Sequence, residues 1–152
     1  MAHSNDSHST DDPYNLSRFL RAQEDDYEQA LSEIRGGRKR THWMWYIFPQ
    51  LDGLAFSSTS KHYAIKSIEE ARAYLAHPVL GPRLLECAEA AVRVEGRTAR
   101  EVFGSPDDLK FRSCLTLFHQ AASADSDRAL FTEALNQFYR GQADARTLEL
   151  LG

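Results

Sequence analysis

Between Asn15 and Gly37 the apolar positions recur three and four residues apart. Leu16, Phe19, Leu20, Tyr27, Ala30, Leu31 and Ile34 form one stripe on an otherwise charged segment. That spacing predicts an amphipathic helix, and Gly36 and Gly37 supply the backbone freedom to end it. The same period returns in "SIEEARAYLAHP", which opens on a capping-box pair, Ser67 with Glu70, and stops before Pro78. "PVLGPRLLECAEAAVRVEG" predicts a further helix closed by Gly96, and "TAREVFG" a short one with a second capping box, Thr98 with Glu101. "SPDDLKFRSCLTLFHQAA" places Ser105 as N-cap, Pro106 at the first helical position and acids in the first turn. "DRALFTEALNQFYRG" aligns Leu130, Phe131, Ala134, Leu135 and Phe138, and a last turn begins at Asp144.

Residues 38 to 66 break the period. "WMWYIF" has the aromatic and β-branched content of a strand, but almost every position is apolar, so no alternation marks its two faces. Around it run segments rich in Gly, Ser and Pro, and long loops inside a compact domain are usually functional. The pattern as a whole predicts a mainly α, single compact helical domain over residues 13–152, with one or two short strands around residues 43–48. Residues 1–12, polar beyond Met1 and Ala2, read as a disordered tail. His3 and His8 within it are a weak metal signal.

Composition narrows the function more than the fold. A chain of 152 residues with 42% hydrophobic and 26% charged residues is an ordinary globular domain. The net charge of −4 argues against general nucleic-acid binding, which rests on cations meeting phosphates, yet allows a local basic pocket for one small anion. No apolar run approaches the roughly 18 residues of a membrane span, and no signal-peptide core is present. Cys87 and Cys114 lie inside helical patterns and read as buried thiols, which suits a cytoplasmic location.

The candidate chemistry sits in the irregular segment. Arg38, Lys39 and Arg40 precede His42, Trp43 and Trp45, and Gln50 follows Pro49 on a stiffened corner. A ring for stacking, cations for phosphate and an amide for a base edge together suit a nucleotide. His42, Trp43 and Gln50 are the expected pocket-lining residues; Trp45 shares a strand face with Trp43 or anchors the core instead. His77 reads as a helix cap. His119 sits where a cation suits a helix C-terminus, and a structural role is the one expected of it. Lys110, near the start of its helix, either helps form an anion cradle or pairs with Asp107 or Asp108. There is no Gly-rich phosphate loop, HExxH, CxxC or G-x-S-x-G, so no metal, cofactor or nucleophile mechanism is implied.

Two resemblances follow from particular stretches. "GRKRTHWMWYIFPQLDGL", "YLAHPVLGPRL", "VFGSPDDLKFRSCLTLF" and "FTEALNQFYRGQADARTLELL" resemble the bacterial family catalogued as domain of unknown function 1810. That family implies a helical single domain with no assigned reaction. Some of its members carry the label calpastatin, although this chain has none of that inhibitor's extended repeats. "FSSTSKHYAIKS" and "DLKFRSCLTLF" are similar to stretches of the NADAR (YbiA-like) family, whose members cleave N-glycosidic bonds of ADP-ribose-type compounds and riboflavin-pathway intermediates. Ser60, His62, Tyr63 and Lys66 fall on matching positions. Where that family has an acid this chain has Lys61, and an N-glycosidase needs a carboxylate. Asp52 is the sequence-local candidate for that role. The expectation is therefore a binder of a nucleotide or ADP-ribose-type ligand, through Lys39, His42, Trp43, Gln50, His62, Tyr63, Lys66 and Lys110, possessing N-glycosidase activity only if Asp52 supplies the acid. The rival expectation is a non-enzymatic interaction module using the aromatic segment 42–50.

Overall fold

The computed structural model describes residues 12–152. Nine helices run along the described residues: α1 (Ser17–Arg35), α2 (Met44–Ile47), α3 (Ser58–Tyr63), α4 (Ile68–Ala76), α5 (Leu80–Val92), α6 (Ala99–Phe103), α7 (Asp107–Ala121), α8 (Asp125–Tyr139) and α9 (Ala145–Leu151). α7 lies at the centre, packed by α4, α6, α8 and α9, while α5 bridges α1, α4 and α8. The expected tail lies outside the described residues except for Asp12. Its carboxylate accepts the backbone N–H groups of Leu16 (2.6 Å) and Ser17 (3.1 Å) and so caps α1.

The sequence stripes bury as their spacing requires. Phe19, Ala30, Leu31 and Ile34 of α1 meet Leu80, Leu84, Cys87, Ala88 and Ala91 of α5 in one core. Gly37 takes φ +77°, the left-handed geometry that lets the chain leave α1. Gly81, buried in the first turn of α5, allows α4 and α5 to approach closely, because a Cβ there would collide with the carbonyl oxygen of Leu75.

Three local expectations need correction. The segment expected as strand is the single turn α2, and the β pairing among the described residues is one isolated parallel bridge, Leu51 with Ile65. Two strands' worth of apolar side chains on a helical turn can face several neighbours at once, and here Trp43, Met44, Ile47 and Phe48 are all at most 2% exposed. α7 begins at Asp107 with no side-chain cap, so Ser105 does not serve as its N-cap. The Thr98–Glu101 box forms in full, whereas at α4 only its Ser67 half forms, because the Glu70 carboxylate is drawn into the core.

Candidate functional site

Three hydrogen-bond networks shape residues 36–66. The first is built on Glu33, in the last turn of α1. Its two carboxylate oxygens accept the backbone N–H groups of Arg40 (2.7 Å) and Thr41 (3.0 Å), the Thr41 hydroxyl (2.7 Å), the Trp43 indole N–H (2.9 Å) and the Gln29 amide (2.7 Å). Burial opposes ionisation of Glu33, but the donors from Gln29, Arg40, Thr41 and Trp43 outweigh it and hold the carboxyl down at about 2. A charge at a helix end that favours cations is the signal in the sequence that marks this residue as special.

The second network is the buried pair Arg18–Glu70, 2.7 Å apart with side chains 6% and 3% exposed. All five guanidinium N–H donors are used: Nε on the His62 carbonyl, Nη1 on those of Tyr14 and Asn15, Nη2 on the Ala64 carbonyl and on Glu70. The second Glu70 oxygen accepts the Lys66 backbone N–H (3.0 Å). Segment 62–66 is thus held from behind by its main chain. The third network ties it to residues 50–52: Ile65 N–H donates to the Gln50 carbonyl (2.9 Å) and Asp52 N–H to the Ile65 carbonyl (2.8 Å).

These ties bring part of the expected site together. Tyr63 packs on Tyr46 with ring centroids 5.2 Å apart, and the Tyr46 hydroxyl donates to the His42 carbonyl and to Asp26. Lys66 Nζ lies 3.6 Å from Asp52, both side chains about half exposed. His62 is exposed, its ring edge-on to Tyr63 at 4.6 Å. Among the described residues no hydrogen bond engages the side chains of His42, Gln50 or His62.

The tryptophans exchange the parts that their order suggests. Trp43 is 1% exposed and locked to Glu33, so its ring is core and not a face on which a ligand can stack. Trp45 is half-buried, and the ammonium of Lys110 stands 5.4 Å from its ring centroid. Lys39 is also recessed, with a side chain 8% exposed, 3.0 Å from Asp107 and 5.1 Å from the Trp43 ring. Asp107 reaches Lys110 as well, at 3.7 Å. One carboxylate therefore holds two ammonium groups, and each ammonium lies over an indole. The pairing of Lys110 with Asp107 is one of the two alternatives the sequence offered; the reach of the same carboxylate to Lys39 is not foreshadowed there. Arg112 instead donates to the carbonyls of Gln142 and Ala143.

Two further histidines lie near helix ends. His77 Nδ1 accepts the N–H groups of Val79 (3.1 Å) and Leu80 (3.2 Å), capping α5 as expected. At His119, burial and then the charge of Arg128 push the pKa down, against the cationic form that a helix C-terminus favours. Cys87 and Cys114 are buried free thiols, with burial pushing Cys87 up to about 12. His3 and His8 lie outside the described residues. A cleft of about 770 Å³ runs between α1 and α4, and no residue from 38 to 66 lines it.

Comparison with known proteins decides the family. The family described as "protein of unknown function (DUF1810)" matches residues 13–151. This chain belongs to that family. A solved structure of the conserved hypothetical protein Rv1873 from Mycobacterium tuberculosis is similar to it, with 49% identity and a TM-score of 0.87 over 91% of this chain and 97% of that one. No curated protein matches. As a member of that family, the chain shares its helical fold with a relative that has no assigned activity, and no helix among the described residues is long and apolar enough to cross a membrane.

Proposed function

We propose that this protein binds a small phosphorylated ligand of nucleotide or ADP-ribose type on the face carrying Trp45 and Lys110. The observation that carries this reading is the Lys110 ammonium poised over the half-buried Trp45 ring, in the first turn of the 15-residue helix α7. An indole face offers stacking, and a lysine beside a helix N-terminus favours a phosphate. An incoming phosphate would compete with Asp107 for Lys110, whose side chain is 20% exposed, and leave the recessed Lys39 in place. The ligand class is the one that the sequence resemblance of residues 56–67 to the NADAR family implies.

Hydrolysis would need a carboxylate at the sugar. Asp52 is exposed and paired to Lys66, so binding without turnover is the reading adopted for this chain.

The experiment is a thermal-shift screen over nucleotides, ADP-ribose, NAD and riboflavin-pathway intermediates, repeated with Lys110→Ala and Trp45→Ala. A ligand at a hundred times its dissociation constant adds roughly 2.7 kcal/mol. Stabilisation of the parent protein that both variants lose is the expected result. No stabilisation by any of these compounds removes the proposal, and sugar release during incubation replaces binding with catalysis.

A further inference from the structure

The cleft between α1 and α4 has a chemistry of its own, away from residues 38–66. Ala73 and Ala76, one turn apart on α4, and Leu16 and Leu20 at the start of α1 give it an apolar floor. Its volume of about 770 Å³ lies in the range of small-molecule sites, roughly 300–1,000 Å³. The rim is rich in donors. His77 spends Nδ1 on two backbone N–H groups, which places the neutral ring's proton on Nε2 and leaves that N–H as a donor. Arg21 is exposed; among the described residues its side chain hydrogen-bonds only to the Ser17 hydroxyl (3.3 Å) and has no carboxylate partner. Asp12, the acid of the cleft, has both oxygens committed to the start of α1. It therefore steers an anion away from that end and toward Arg21 and His77.

We infer that this cleft binds a small organic carboxylate with an apolar body, the body over Ala73 and Ala76 and the carboxylate toward Arg21 and His77. The apolar floor excludes a bare phosphate or a sugar phosphate as the natural occupant, since neither would bury the surface the two alanines leave open. The site is independent of the proposed nucleotide face.

The test is two-dimensional amide NMR of the full chain titrated with phenylacetate and octanoate, with phenylacetamide as the neutral control. Saturable shifts confined to residues 14–21 and 73–77 are expected. The acid should bind about tenfold tighter than the amide, the scale of one hydrogen bond to a charged group, and Arg21→Met should remove that difference. Ala73→Phe, or Ala76→Phe if the first variant loses its dispersed spectrum, should abolish the shifts. Equal binding of acid and amide, absence of saturable shifts, or shifts centred on another surface overturns the inference. So does movement of the resonances of residues 1–11 in Ala73→Phe, which assigns the cleft to the chain's own N-terminal segment. Movement of the 14–21 and 73–77 amides on dilution of the free protein assigns it to a second copy and overturns it equally.

Discussion

Arg18 and Glu70 face each other across 2.7 Å inside the core, 52 residues apart in the chain. The pair joins α1 to α4 and also fixes the backbone of residues 62–66, because the same guanidinium grips the His62 and Ala64 carbonyls. A buried ion pair is poor evidence of net stability, but removing one partner leaves the other charge uncompensated. Arg18→Ala should cost about 3–5 kcal/mol in chemical denaturation. The double change Arg18→Met, Glu70→Leu should recover much of that loss in overall stability. It should nonetheless loosen residues 62–66, read as faster amide exchange at Ala64 and Ile65. Equal protection of those amides in the double variant would show that the pair does not position the segment.

Glu33 makes stability depend on acid. Its carboxyl is held at about 2, below the ordinary 4.5, so its contribution is fully present above about pH 4.5 and is lost as the pH falls toward 2. Unfolding free energy measured across that window should decline, and Glu33→Ala should flatten part of the decline. The same variant leaves the Trp43 indole N–H and two backbone N–H groups without their acceptor. It should therefore destabilise at pH 7 by about 1–3 kcal/mol or more.

The two tryptophans should separate cleanly. Trp43→Ala empties a core site at 1% exposure and should cost about 3–5 kcal/mol of stability. Trp45→Ala should cost far less and instead weaken any nucleotide-type ligand by roughly 1–3 kcal/mol, the scale of a lost base–aromatic stack. Calorimetric titration and denaturation of the two variants, side by side, check both halves.

Gly81→Ala should be costly although it adds one methyl group. The new Cβ would press on the Leu75 carbonyl oxygen, which is backbone and cannot rotate aside. Separation of α4 from α5 should cost about 1–3 kcal/mol by denaturation, with the helical signal retained. A neutral result would mean that the two helices slide apart without penalty.

The helices that pack by one stripe were legible in the sequence. α1, α5 and α8 each bury a face set by their own spacing of apolar residues, whereas the central α7 is buried almost all round, and the Thr98 box and the His77 cap are satisfied within three residues. Local rules suffice where donor and acceptor are sequence neighbours. They fail between residues 38 and 66, because the partners there come from afar. Glu33 folds the loop around its carboxylate and turns Trp43 inward, so Trp45 is left nearer the surface. Arg18 takes Glu70 out of its capping box, and Asp107 brings Lys39, from the loop after α1, beside Lys110 of its own helix. A run in which nearly every residue is apolar carries no period to say which side chain faces the core. Only the competition of buried donors for buried acceptors, settled in the tertiary structure, chooses among them.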